Sequence, residues 1–409
     1  MSDLITMDAS GNLQVPDRPI IVYIQGDGIG PDIWRAARPV LDAAVDKAYK
    51  GKKAIQWMEL LAGEAAFEAT GEWLSDATLD AIRKHRVAIK GPLATPVGKG
   101  IRSLNVRIRQ SLDLYACIRP VKYFSPVLSP VREPEKVDIT VFRENTEDLY
   151  SGIEFDSNSP ESERFIRFMK DKMKVDLCPS AAIGIKPMCP EKTKRLVVKA
   201  LDYAVKNNLK SVTLMHKGNI MKFTEGGFRK WGYEAATEFF RDVVITEKEL
   251  WENHGGAIPQ GKVLIRDRIA DMVFAEVLLK PQEFDVIAAP NLNGDYISDA
   301  LAAQVGGLGI APGANIGDSC AVFEATHGTA PDLAGKDMAN PCSIILSGAM
   351  MFDHMGWHDA AVLVRTGLQK ALQSGKATQD LAREMTGVRE VSCSGFGEII
   401  VEKIGLTLN

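Results

Sequence analysis

Two clusters of charged side chains in this sequence have the types and spacing to do chemistry together. The first is basic: Lys99-Gly100-Ile101-Arg102-Ser103-Leu104-Asn105-Val106-Arg107-Ile108-Arg109, followed by Arg119 and Arg143. If residues 103–109 are helical, Ser103 and Arg107 share one face while Asn105 and Arg109 share a neighbouring one. Guanidinium groups pair with carboxylates in a geometry that Lys cannot match. Three converging Arg therefore point to a ligand with more than one carboxylate, although the same spacing describes solvated surface arginines. The second cluster is acidic. Asn291-Leu292-Asn293-Gly294-Asp295-Tyr296-Ile297-Ser298-Asp299 follows a predicted strand and puts Asp295 and Asp299 on one helical face. Hard, oxygen-seeking cations such as Mg²⁺ or Mn²⁺ suit such a pair, with Asp271 as a candidate third ligand. The bland alternative is that Asp295 only caps the helix.

Proton-transfer candidates flank these clusters. Lys217 lies in His216-Lys217-Gly218-Asn219-Ile220-Met221-Lys222, at the end of an apolar run, and Tyr150 closes Arg143-Glu144-Asn145-Thr146-Glu147-Asp148-Leu149-Tyr150. Each residue type is more commonly a surface Lys or a packed Tyr. The loop Glu324-Ala325-Thr326-His327-Gly328-Thr329-Ala330-Pro331-Asp332 is polar and glycine-bearing, so its backbone could approach a nucleotide closely. Gly26-Asp27-Gly28-Ile29-Gly30 invites a dinucleotide-fold reading. The third glycine of that fingerprint is absent, and the run reads better as a tight strand-to-helix turn.

The positioning elements follow from periodicity. Strands are predicted at 19–24, 86–90, 137–142, 211–215, 284–289 and 321–323, and helices at 191–207, 225–241 and 344–354. This alternation predicts an α/β protein with a largely parallel sheet. A chain of 409 residues exceeds one ordinary core, so two lobes are expected. Segment 156–188 lacks clean periodicity and reads as an insertion for contact with a partner or as a long surface excursion. A net charge of −4 gives no reason to expect nucleic-acid binding. No apolar run approaches the roughly 18 residues of a membrane helix, and the acidic first residues are unlike a secretory signal. Six scattered cysteines without a Cys-x-x-Cys pair suit a reducing cytoplasm.

Taken together, six ordered motifs are far more specific than any one. They are Gly-Asp-Gly-Ile-Gly-Pro at 26–31, Ser-Leu-Asn at 103–105, Phe-Arg-Glu-Asn-Thr-Glu-Asp-Leu-Tyr at 142–150, His-Lys-Gly-Asn-Ile-Met-Lys at 216–222, the 291–299 motif, and Glu-Ala-Thr-His-Gly-Thr-Ala-Pro at 324–331. From about Ile20 onward the chain resembles the isocitrate and isopropylmalate dehydrogenase family, and most of all its bacterial dimeric, isocitrate-oxidising branch. The resemblance implies a non-Rossmann α/β fold. It implies a large domain of residues 1–114 and 306–409, a small domain of 115–147 and 191–305, and a dimer clasp at 148–190. It further implies a homodimer with shared active sites. Ser103, Asn105, Arg109, Arg119 and Arg143 would hold isocitrate, and Ser103 and Asn105 separate this branch from the isopropylmalate enzymes. Tyr150 would be the proton-transfer partner of Lys217, the latter reaching over from the other subunit. Asp295 and Asp299 would bind the metal with the partner subunit's Asp271. Cofactor contacts would come from Thr95, Glu324, His327, Gly328, Thr329, Ala330, Asp332, Leu333, Asn340 and Arg383.

The resemblance leaves the cofactor to be decided by sequence detail. NADP-dependent relatives carry Lys-Tyr after the motif proline, where this chain has Asp332-Leu333, and Gln379 replaces a further Tyr. A carboxylate repels a 2′-phosphate, so NAD is expected, although Arg383 matches an Arg of the NADP enzymes. The remaining alternatives are an NADP-dependent enzyme, a homoisocitrate dehydrogenase and a non-catalytic regulatory subunit. The last conflicts with the presence of Tyr150, Lys217, Asp271, Asp295 and Asp299.

Overall fold

Short aliphatic runs without polar alternation, such as Ile20–Ile24, are buried on both faces, as interior strands of a parallel sheet must be. In the computed structural model, which describes residues 3–94 and 103–407, these runs assemble into one eleven-stranded sheet. In chain order its strands are β1 (Ile20–Ile24), β2 (Gln56–Glu59), β3 (Val87–Lys90), β4 (Ala116–Lys122), β5 (Asp138–Glu144), β6 (Ser211–His216), β7 (Val244–Thr246), β8 (Val263–Ile269), β9 (Val286–Ala289), β10 (Pro312–Ile316) and β11 (Ala321–Ala325). The spatial order is β7-β8-β6-β9-β5-β4-β10-β11-β3-β1-β2.

The sheet has two parallel blocks. Strands β7, β8, β6, β9 and β5 form one, and β11, β3, β1 and β2 the other. Between them β4 and β10 pair antiparallel with each other and with the flanking strands. The first block comes from the middle of the chain. The second comes from both ends.

Helices cover this frame. Helix α1 (Gly30–Tyr49) follows the glycine turn, and α2 (Leu104–Ser111) carries the basic motif. Helices α3 (Pro190–Lys206), α4 (Glu225–Phe240), α5 (Ala270–Leu279) and α6 (Asn291–Gln304) belong to the five-strand block. At the C-terminal end α7 (Cys342–His354), α8 (His358–Leu372) and α9 (Cys393–Gly405) pack with α1 on the four-strand block. The segment predicted to be irregular forms a two-residue antiparallel ribbon, Glu154–Phe155 with Ile183–Gly184, that encloses the helix Pro160–Phe168. None of the described helices is long and apolar enough to cross a membrane.

Ligands collect where adjacent parallel strands end. In the five-strand block β6 runs straight into Lys217 and β9 into α6 with its aspartates, while Arg143 is the next-to-last residue of the neighbouring strand β5.

Candidate active site

Arg109, Arg119 and Arg143 arrive from α2, β4 and β5, and all three are buried. Arg143 Nη1 donates to Asp295 Oδ1 at 2.6 Å, while its Nε is held by the side chain and carbonyl of Asn291. Arg119 Nη1 donates to Ser298 Oγ at 2.7 Å and to Asp299 Oδ1 at 3.0 Å. Arg109 Nη2 donates to Glu324 Oε1 at 2.7 Å. Burial lowers the Arg143 pKa, and the Arg119 and Arg109 charges lower it further, so the three groups feel one another as like charges. Among the described residues, each still carries a buried donor with no partner: Arg109 Nε, Arg119 Nε and Arg143 Nη2. An unpaired buried donor costs about 1–3 kcal/mol. Three of them in one place mark a site built to receive acceptor oxygens.

Asp295 is the fifth residue of α6, whose cap position is Pro290, so the capping alternative for Asp295 falls. Burial raises the Asp295 pKa, but Arg143 and Arg119 outweigh it and hold the carboxyl below its usual range. Asp299, one turn on, is raised by burial despite Arg119. Two carboxylates on one face fit a hard cation. Among the described residues of one chain, no three His, Cys, Asp or Glu side chains form a metal-holding group. Asp271 lies at the start of α5, paired with Lys217. Any third carboxylate must therefore come from elsewhere.

Tyr150 sits in the 3₁₀ turn Asp148–Ser151 and donates its hydroxyl proton to Asp295 Oδ2. The Arg143 guanidinium lies 4.8 Å from its ring centroid. Burial and the Asp295 hydrogen bond push the phenol up to about 12. Within the described chain no hydrogen bond or ion pair joins Lys217 to Tyr150, Asp295 or Asp299. The chain thus brings Tyr150, the three Arg and two Asp together and leaves Lys217 and Asp271 as a separate pair. Ser103 occupies the cap position of α2 without a side-chain capping bond, and Asn105 Oδ1 on the same helix is buried with no partner among the described residues.

The residues expected around the cofactor divide. Thr95 lies outside the described residues, as does the basic run up to Arg102. Glu324 on β11 does not line the loop surface. It is fully buried, pairs with Lys90 at 2.7 Å, and accepts from Arg109 and Asn315. Its carboxyl is held well below the ordinary range because Lys90 and Arg109 outweigh the effect of burial. Asn340 is committed to Asp380 and to the Cys342 amide at the start of α7. The loop proper keeps open capacity. Among the described residues, His327 Nε2 is buried without a partner, and a Cβ at Gly328 would meet nothing within 4 Å. Ala330 holds φ +39°, a left-handed conformation, just before Pro331. The glycine turn docks this loop. The Ile29 amide donates to the Thr329 carbonyl at 2.9 Å, and a Cβ on Gly28 would sit 2.1 Å from that oxygen.

Sequence reasoning missed Lys90, Asn315, Ser298 and Asn291. Lys90 had a readable signal: a charged residue ending the buried strand β3. The others became visible only as partners of Arg119, Arg143 and Glu324.

The profile of the family described as isocitrate/isopropylmalate dehydrogenase matches residues 20–400. The chain is 54% identical to an NADP isocitrate dehydrogenase of Streptococcus salivarius, covering 98% of this chain and 99% of the relative. It is 53% identical to one from Archaeoglobus fulgidus, covering 97% and 95%. The crystal structure of isocitrate dehydrogenase from Methylococcus capsulatus superposes with a TM-score of 0.78 at 38% identity, covering 94% of this chain and 99% of that one. These names overturn the NAD preference expected from Asp332 and Leu333, because both relatives are named for NADP. The physical reason lies in exposure. Asp332 is exposed in a short 3₁₀ turn, where its charge is hydrated and screened within about 8–10 Å, and Leu333 is only half-buried. Arg383 is also exposed and forms no ion pair among the described residues. Matched along nearly its whole length, the chain belongs to the isocitrate/isopropylmalate dehydrogenase family.

Proposed function

We propose that this protein oxidises isocitrate and decarboxylates it to 2-oxoglutarate and CO₂, with NADP as hydride acceptor and a divalent cation, Mg²⁺ or Mn²⁺, at Asp295 and Asp299. The observation that carries this reading is the trio of buried guanidiniums, each with an idle N–H donor, beside two carboxylates on one helical face. A tricarboxylic substrate supplies the acceptor oxygens those donors lack. When bound, the cation would polarise the substrate hydroxyl and the nicotinamide would accept hydride. Arg109, Arg119 and Arg143 fix the carboxylates, with Ser103 and Asn105 offering further hydrogen bonds. Lys217 Nζ takes the hydroxyl proton. After CO₂ leaves, the Tyr150 hydroxyl gives its proton to the enol carbon.

This reading requires a homodimer, since Lys217 and Asp271 lie apart from Tyr150 in one chain. Exposed apolar side chains on and near α5 and α6 support it: Phe223 is 90% exposed, Leu279 77% and Tyr296 58%. Helix α5 is apolar nearly all round yet buries only Ala270, Val273 and Val277, which suits a covered interface. We assign the clasp to 148–190, between a large domain (1–114, 306–409) and a small one (115–147, 191–305). A cytoplasmic setting suits the six free cysteines.

The test follows reduced-nicotinamide absorbance with isocitrate, Mg²⁺ and NADP, alongside NAD and homoisocitrate. Turnover should be fastest with isocitrate and NADP and should vanish when a chelator removes the cation. Preference for homoisocitrate would overturn the substrate, and faster turnover with NAD would overturn the cofactor.

A further inference from the structure

Buried ions outside the Arg cluster form a second network that the chemistry above does not use. Lys186 lies just past the clasp ribbon and is only 14% exposed in its side chain. Its Nζ pairs with Asp148 Oδ1 and, at 3.0 Å, with Glu225 Oε1, and both carboxylates are 1% exposed. Such a cluster costs desolvation, and removing one partner leaves a buried charge uncompensated.

Each carboxylate holds a different part of the machinery. Asp148 opens the turn that presents Tyr150. It stays at φ +68°, where its Oδ1 accepts from the Leu149 amide at 2.7 Å and its Oδ2 from the Leu292 amide at 3.0 Å. Leu292 lies three residues before Asp295 on α6. Glu225, the first residue of α4, accepts from the backbone amide of Lys217 and from Asn293 Nδ2 at 2.9 Å. The first turn of α6 is therefore pinned at Leu292 by the carboxylate behind Tyr150 and at Asn293 by the carboxylate behind Lys217. Among the described residues, Lys186 is the one cation bridging the two.

We propose that Lys186 and Glu225 are positioning residues: with Asp148 they form an ion triad that sets Tyr150 and Lys217 in fixed register against α6. This rests on the proton-transfer roles given above. In a dimer Lys217 serves the neighbouring site and Tyr150 its own, so one triad in each chain holds parts of both sites.

The experiment measures steady-state kinetics of the full-length dimer with isocitrate, Mg²⁺ and NADP for Lys186→Met, Glu225→Gln, the double variant and Lys186→Arg. Thermal unfolding and sedimentation are run beside them. Two partial reactions are read separately: hydride transfer, and solvent-proton exchange at the carbon of 2-oxoglutarate that becomes protonated. Lys186→Met and Glu225→Gln should lower kcat about 10- to 100-fold, the cost of a small misplacement of catalytic groups, with KM for isocitrate moved less than about threefold. Both partial reactions should fall together, and Lys186→Arg should recover most of kcat. The double variant should be little worse than the weaker single variant, because both remove one pair. A near-normal kcat in a folded single variant would overturn the triad's role. So would a loss confined to KM, or a loss of one partial reaction alone. Should Glu225→Gln fail to fold, Lys186→Met decides, since Lys186 lies at the rim of the cluster. A wild-type chain inactive on isocitrate would instead bring down the functional reading, and this inference with it.

Discussion

At the scale of single residues, the distinction that matters is between charges already satisfied and charges still waiting. Arg119 spends Nη1 on Ser298 and Asp299 and leaves Nε idle. Arg119→Lys keeps the charge but cannot serve α6 and a substrate carboxylate at once. It should raise KM for isocitrate and lower kcat/KM by about 100-fold or more, roughly the 2–3 kcal/mol of a lost charge-assisted hydrogen bond. An unchanged kcat/KM would remove Arg119 from the substrate. Tyr150 supports a sharper separation. Tyr150→Phe keeps the ring under Arg143 and deletes only the hydroxyl, so enol protonation should suffer more than hydride transfer. Equal loss of both would count against the acid role. The ordered motifs that carry the family resemblance singled these residues out, and the structure sets both against the α6 aspartates. Asp332, by contrast, was misread. Its charge is visible in sequence but its exposure is not, and exposure decides how strongly a carboxylate repels.

At the scale of elements, strands that read as continuous aliphatic runs were legible, and those with a physical blemish were not. β4 contains Pro120, which argues against a central strand. It is tolerated because pairing with β10 ends at Ile118, so no neighbour there needs the missing N–H. β10 opens with Pro312 and holds Gly313, and β2 and β7 are short strands at the two sheet edges. Helix ends were readable to within a few residues, because Pro190 and the polar run before Glu225 act as punctuation. One helix end carries a pH dependence. His354 closes α7 with its ring 5.6 Å from Phe323, and burial, aided by the Lys199 charge, lowers its pKa from 6.5 to about 4. The unfolded chain takes up this proton near pH 6.5 and the folded chain only near pH 4. The contribution to stability is therefore complete above pH 6.5 and is lost as the pH falls to 4, at most about 3 kcal/mol. His354→Gln should flatten the denaturant midpoint across that window. A midpoint as steep as the wild type would place the acid sensitivity elsewhere.

For the whole molecule, one chain holds every part of the proposed chemistry yet does not assemble it. Tyr150 contacts Asp295, whereas Lys217 is drawn to Asp271 on a different element. The eleven-stranded sheet imposes this separation, because Lys217 leaves from β6 with β9 between it and the strand that carries Arg143. In the proposed homodimer, a second copy docked through the apolar surface of α5 and its neighbours would bring the two halves together. That geometry has an arithmetic consequence. Chains carrying Tyr150→Phe and chains carrying Lys217→Met should each be nearly inactive as homodimers. Mixed in equal amounts, unfolded and refolded together, half of the dimers should be hybrids. In each hybrid one site has lost both groups, while the other takes Tyr150 and Lys217 from the two chains that retain them. Activity should therefore recover to about a quarter of wild type, as two-fold symmetry with shared sites demands. If each site drew both groups from the same chain, no mixture would recover anything, so a flat result in verified hybrids would show that the two proton-transfer groups do not meet across a subunit boundary.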